Sequence, residues 1–123
     1  FLRSKNASFS ILQCTTAYPT QADQYGLNVI NELKNRYKVA IGFSDHSAKI
    51  STGIAAVALG AEILEFHVVF HSSLFGPDAK ASLTIEETKQ LVEAVNDIYT
   101  AMATPNDKNS NDNFKEIKSI FEN

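Results

Sequence analysis

His46 and His67 each close a short apolar run, Val39-Ala-Ile-Gly-Phe-Ser-Asp-His46 and Glu62-Ile-Leu-Glu-Phe-His67. Two imidazoles set side by side at the C-terminal edge of a parallel sheet can share a divalent metal, and α/β proteins place their chemistry at that edge. Ser44 offers a hydroxyl to an anionic ligand, and Asp45 can accept an N–H from an imidazole. The plainer alternative is a strand-end turn in which Ser44 and Asp45 cap the segment that follows. Glu65 and His67 stand two apart, so both face the same side of a strand. An acid and an imidazole among Ile63, Leu64, Val68 and Val69 are costly to bury without purpose. The competing reading is a satisfied Glu–His pair in the core.

Two further stretches carry candidate ligand contacts. The run from Gly76 to Ser82 forms a turn directly after the second histidine strand, and Gly76 and Pro77 can fix it so that Asp78 aims back at the mouth. It also reads as an ordinary surface turn. Cys14-Thr-Thr-Ala-Tyr-Pro19 ends an earlier apolar run, where Thr16 can hydrogen-bond a ligand and Tyr18 can wall a pocket. Cys14 itself reads as an inert core thiol, and His71 as a surface histidine. No CxxC, Walker loop, GxGxxG or GxSxG occurs.

The elements that must position these residues alternate strand and helix three times. Strands are expected at residues 9–14, 39–44 and 63–70, the last apolar on both faces as a buried parallel strand should be. Thr20-x-x-Asp23 offers a capping-box-like start to a helix over residues 21–36, with Leu27, Ile30, Leu33 and Tyr37 near helical spacing. A short Ala-rich helix spans residues 51–59 with Gly53 inside, stopped by Gly60, and its small residues predict a close approach to the sheet. Residues 71–82 read as an irregular loop. Thr84-x-x-Glu87 caps the last strong helix, whose stripe is Leu91, Val95, Ile98 and Met102. Residues 104–113 read as a linker, and Phe114, Ile117, Ile120 and Phe121 mark a short amphipathic piece. This rhythm implies an α/β parallel sheet with right-handed crossovers, either part of an open sheet or an arc of a (β/α)₈ barrel. A full barrel takes about 250 residues, so the chain would hold about the last three-eighths of one.

The bulk composition narrows the function classes. With 123 residues the chain makes at most one domain. Its net charge of −3 supplies no basic stripe for nucleic acid or anionic membrane. The single cysteine fits a reducing cytoplasm, and no apolar stretch reaches the roughly 20 residues that span a bilayer. The start, Phe-Leu-Arg-Ser-Lys, has neither an initiator Met nor the core of a signal peptide. The expectation is an interior stretch of a longer polypeptide.

Taken in order, Cys14 to Pro19, Gly42-x-Ser-Asp-His46, Glu65-x-His67 and Gly76-Pro-Asp-x-Lys-Ala-Ser-Leu83 resemble the sialic acid synthase family, the phosphoenolpyruvate-dependent synthases of nonulosonic acids. The resemblance covers nearly all of residues 10–103 and implies strands six to eight of that family's (β/α)₈ barrel. It implies that phosphoenolpyruvate condenses through its methylene carbon with the open-chain aldehyde of an N-acetylated amino sugar such as N-acetylmannosamine. Water then adds, and phosphate leaves by C–O cleavage. By the same resemblance His46 and His67 hold Mn²⁺ or Mg²⁺ as a Lewis acid on the aldehyde. Thr16 and Ser44 match positions contacting phosphoenolpyruvate, while Tyr18, Glu65 and Asp78 match positions holding the sugar, the two carboxylates being the catalytic candidates.

The chain departs from the family pattern at four places. Thr16 stands where Asn or Ser is common, Phe66 for a common Lys, Phe75 for Pro and Ala79 for His. The family's first five strands and its small C-terminal antifreeze-like domain, which reaches a partner subunit's site, have no counterpart here. The parent is therefore expected to be a cytoplasmic homodimeric enzyme. The 123-residue piece is expected to be inactive and, through its unpaired sheet edges, self-associating. The alternative is a non-catalytic half-barrel that serves as a binding or interaction module.

Overall fold

A computed structural model describes residues 1–106 and 119–120. Four parallel strands form one sheet in the order β1 (Ile11–Cys14), β2 (Ile41–Asp45), β3 (Ile63–Val69) and β4 (Ser82–Thr84). Three helices join or follow them: α1 (Leu27–Tyr37), α2 (Ile50–Ala58) and α3 (Ile85–Ala103). The α/β reading with parallel strands is what the structure shows. The loop expected over residues 71–82 instead closes into a short helical turn (Ala79–Ala81) and then β4. Three residues are too few to display the period-two pattern that marks a strand.

Register sorts the side chains into two faces. Ile11, Leu12, Gln13 and Cys14 lie opposite Ile41, Gly42, Phe43 and Ser44, while Gly42 to Asp45 lie opposite Ile63 to Phe66. One face carries Ile11, Ile41, Phe43 and Leu64, which pack with Ile30, Leu33 and Ala56 of the helices into the core. The other carries Cys14, Ser44 and Glu65 in one cross-strand row. Parallel neighbours in register point the same way, so this row follows directly from the pairing.

β3 was expected to be buried on both faces, yet Ile63, Glu65 and Val68 are exposed. No described helix covers the face of Ile63 and Glu65, and Val68 lies on the other face, at a groove beside α3. Cys14 is likewise exposed rather than an inert core thiol. Its strand looks apolar in sequence, but register assigns Cys14 to the uncovered face.

The helix expected over residues 21–36 begins later. Thr20 does not cap it; its N–H donates to the His46 carbonyl and its hydroxyl to the Ala17 carbonyl, and Gln21 precedes the first helical turn. A short helical turn (Ala22–Gln24) follows, and α1 starts after Gly26, whose φ of +68° is the left-handed conformation glycine accepts. By contrast Thr84 and Glu87 form a complete capping box at the start of α3. On α3 Leu91 is buried, Val95 and Ile98 are half-buried, and Met102 stays 59% exposed. Gly53 lets α2 meet both neighbours: a Cβ there would stand 2.8 Å from Leu91 Cδ1 and 3.5 Å from Leu64 Cδ1. The expected linker and amphipathic piece lie almost wholly outside the described residues.

Candidate functional site

Both histidines sit at the C-terminal rim because the strands that carry them pair in register: Asp45 lies opposite Phe66, which brings the next residues alongside. The imidazole centroids of His46 and His67 are 5.0 Å apart and the rings nearly perpendicular, at 86°. Tyr18 reaches over from the end of β1, its ring centroid 4.3 Å from that of His46 and 5.8 Å from that of His67. Asp78 arrives from the loop after β3, with Oδ2 3.8 Å from His67 Nδ1. That spacing is too long for a hydrogen bond. The hydroxyl of Ser82 donates to the Asp78 carbonyl at 2.7 Å, tying this loop to β4.

His46 is held firmly. Its Nδ1 lies 3.0 Å from the Thr15 carbonyl oxygen, an acceptor only, so Nδ1 carries a proton and, in the neutral ring, Nε2 is the nitrogen with the lone pair. The ring's ligand-binding nitrogen is thereby fixed by the bond its other nitrogen makes.

Asp45 does not serve an imidazole as the sequence suggested. Alternation sends it to the opposite face from His46, where Oδ1 accepts the Ser47 N–H at 2.8 Å and Oδ2 the Ser47 hydroxyl at 3.0 Å. Ser47 Oγ also lies 3.0 Å from Thr52 Oγ1 and accepts the Lys49 N–H. The strand-end turn left open as the alternative thus forms through Asp45 and Ser47 rather than Ser44, and no side chain caps α2. Burial pushes the Asp45 carboxyl above its usual range, against the opposing pull of the Ser47 N–H, the Ser47 hydroxyl and the His46 charge.

The remaining candidates fall into two groups. Ser44 and Glu65 lie in register on the histidine face, one step in from the rim, with Ser44 buried and Glu65 exposed. Glu65 therefore carries no burial cost, and it makes no core pair with His67. Thr16 is exposed on the Tyr18 loop. His71 is exposed, with Nδ1 2.7 Å from Ser73 Oγ, and stands apart from the pair. Not foreseen from the sequence are the contacts of Thr15, through its backbone carbonyl, and of Thr20 and Ser82, whose hydroxyls find backbone carbonyls that only the folded loops bring near. Ser47, two residues after Asp45, could have been found as an Asx-turn partner.

The donor set suits part of a metal site. Two imidazoles stand together with one lone pair already directed by Thr15, and no group of three His, Cys, Asp or Glu side chains among the described residues can hold an ion. Two nitrogens fall short of the ligand number first-row divalent ions take.

A parallel βα sheet with paired rim histidines defines a class of α/β proteins with a site at the strand ends, and sequence comparison narrows it. The model of the NeuB family matches residues 1–107, and the chain belongs to that family. It is 36% identical over 117 residues to the N,N'-diacetyllegionaminic acid synthase of Campylobacter jejuni, which covers 95% of this chain and 35% of the relative. It is 40% identical over 101 residues to the human N-acetylneuraminate-9-phosphate synthase, covering 81% of this chain and 28% of that protein. Among solved structures, the N-acetylneuraminic acid (sialic acid) synthetase of Leptospira borgpetersenii, in complex with citrate, superposes with a TM-score of 0.82 at 30% identity, covering 98% of this chain and 42% of that one. The chain thus spans about a third of the length of the curated relatives it matches.

Proposed function

We propose that the chain is the C-terminal arc of a (β/α)₈ barrel in a nonulosonic acid synthase, with β1 to β3 as strands six to eight and residues 104–123 as a linker and the start of a following segment. The parent enzyme condenses phosphoenolpyruvate with an N-acetylated amino sugar such as N-acetylmannosamine and releases phosphate. It works in the cytoplasm as a homodimer. The observation that carries this reading is the pair of rim imidazoles 5.0 Å apart, with Tyr18 packed over both.

His46 and His67 would hold Mn²⁺ or Mg²⁺, and such an ion supplies Lewis-acid polarisation of the sugar aldehyde. The chain's own groups bind and orient. Thr15 fixes the His46 tautomer, and Tyr18 presents an amphipathic wall beside the ring pair. Glu65 and Asp78 offer carboxylates to sugar hydroxyls, while Ser44 and Thr16 offer hydroxyls to the anionic partner. No Lys or Arg takes part in these rim contacts, so neutralising the phosphate falls to the strands that precede β1 in the parent. The isolated 123 residues are therefore inactive.

Two measurements test this. Mn²⁺ added to the chain broadens the His46 and His67 ring resonances before that of His71; equal broadening of all three removes the metal site. Phosphate release from phosphoenolpyruvate with N-acetylmannosamine and Mn²⁺ occurs in a polypeptide that includes the upstream strands and is lost in its His46→Ala variant. Turnover by the 123 residues alone contradicts the division of labour.

A further inference from the structure

The loop between β1 and α1 grips His46 at two points, and one residue closes the grip. Thr20 is only 5% exposed. Its N–H donates to the His46 carbonyl at 2.9 Å, and its hydroxyl donates to the Ala17 carbonyl at 2.8 Å. The Ala17 N–H in turn donates to the Thr15 carbonyl at 3.0 Å, the same oxygen that receives His46 Nδ1–H at 3.0 Å. Thr15 is anchored independently, its hydroxyl donating to the Gln24 carbonyl at 2.8 Å. The result is a closed circuit: His46 backbone, Thr20, Ala17, Thr15 and back to the His46 ring. Tyr18, carried between Ala17 and Thr20, packs against that ring.

We propose that Thr20 is a positioning residue: by folding residues 15–20 onto the end of β2 it fixes the Nδ1–H tautomer of His46 and so leaves Nε2 as the ring's ligand-binding nitrogen. It touches neither ligand nor metal. A free neutral imidazole exchanges its proton between two nitrogens, and only the partner on one nitrogen decides which lone pair is free. Here that partner is a backbone carbonyl, whose place depends on how the loop is folded. The Thr20 hydroxyl sets the fold by drawing in the Ala17 carbonyl, and the Thr20 N–H clamps the whole to His46 itself. Such outer partners of metal-binding histidines commonly govern affinity by about 10- to 100-fold.

The proposal deepens the reading of His46 as a metal donor, and the experiment separates the two. Long-range ¹H–¹⁵N spectra of the neutral imidazoles report each histidine's tautomer on the 123-residue chain without any ligand. Wild type is expected to show His46 in the Nδ1–H form. Thr20→Val is expected to shift His46 toward the Nε2–H form, with Thr20→Ser retaining the wild-type pattern and His71 unmoved in both. Mn²⁺ affinity is expected to fall about 10- to 100-fold in Thr20→Val and to recover in Thr20→Ser. A Thr20→Val chain that melts lower yet keeps the wild-type tautomer would reduce Thr20 to a structural residue and overturn the proposal. So would an Nε2–H tautomer at His46 in wild type, a result that stands even where Thr20→Val fails to fold. Mn²⁺ that binds neither wild type nor variants sinks the metal reading alone, since the tautomer shift still judges Thr20.

Discussion

Gly42 and Ile63 face one another across β2 and β3 so closely that a Cβ on Gly42 would stand 2.8 Å from the Ile63 carbonyl oxygen and 2.9 Å from its Cβ. Leu12 Cγ closes the same space from β1 at 2.8 Å. Below the row of Cys14, Ser44 and Glu65, these aliphatic side chains therefore meet over a glycine and form an apolar floor. Because the obstruction includes backbone, it cannot move aside as a flexible side chain would. Gly42→Ala is expected to lower unfolding free energy by about 1–3 kcal/mol, as overpacking in a tight interior does. Urea titration measures this. An unchanged midpoint would mean that the strands do not approach as closely as their register requires.

The capping box of α3 gives the fold a defined acid sensitivity. Glu87 accepts the Thr84 N–H and the Thr84 hydroxyl, both at 2.8 Å, and these bonds, the backbone one first, hold its carboxyl below the usual range. A carboxyl lowered on folding contributes stability that is fully present above its unfolded value, about pH 4.3, and is lost as pH falls through the folded value. Thr84→Ala is expected to cost about 1 kcal/mol at neutral pH. Glu87→Gln should flatten the acid limb of the stability curve measured by denaturation at successive pH values. An acid limb identical to wild type would remove Glu87 from that role.

These two sites also show what the sequence makes legible. The strand–helix alternation, the rim histidines and the Thr84 cap are carried by short-range patterns, although α1 starts later than its pattern and β4 is too short to show one. Thr20-x-x-Asp23 offers a capping signal much like Thr84-x-x-Glu87, yet only the latter caps a helix. Thr20 is turned instead to His46 and Ala17, and the His46 contact depends on β2 lying beside β1. Asp45 and Cys14 were misplaced for a related reason. Which face each belongs to follows from alternation and register together, and register is a tertiary fact. The position of Thr15 at the His46 ring is a backbone contact, invisible to any reading of side-chain types.

The exposure of Cys14 yields a direct chemical test. It is the only cysteine, so alkylation needs no assignment. It shares a cross-strand row with Ser44 and Glu65 on the uncovered face. Iodoacetamide is expected to modify the native chain at a rate close to that of the urea-unfolded chain, since access rather than unfolding limits the reaction. Strong protection in the native state, released only by urea, would return Cys14 to the core. Under the proposed function the same thiol lines the hollow of the synthase, and phosphoenolpyruvate is expected to slow its modification there.

Self-association is the outcome expected from what the fold leaves uncovered. Val68 of β3 and Ile85 and Val92 of α3 are 49%, 43% and 47% exposed, and together they line a groove of about 370 Å³ with Thr88, Lys89 and Glu93. Along the same flank, β3 pairs with β4 only from His67 to Val69, so residues 63–66 have a strand neighbour on the β2 side alone among the described residues. An apolar strip beside unpaired strand backbone is the combination that draws a second chain. The 123-residue chain is expected to sediment as a concentration-dependent mixture containing dimers or larger species. Val92→Lys places a charge in the strip at an exposed position and should shift the distribution toward monomer without lowering the melting temperature. Gln90→Lys carries the same charge about half a turn round α3 and should leave the distribution unchanged. A wild-type chain that stays monomeric at high concentration would show that the exposed strip and strand edge are insufficient to recruit another copy.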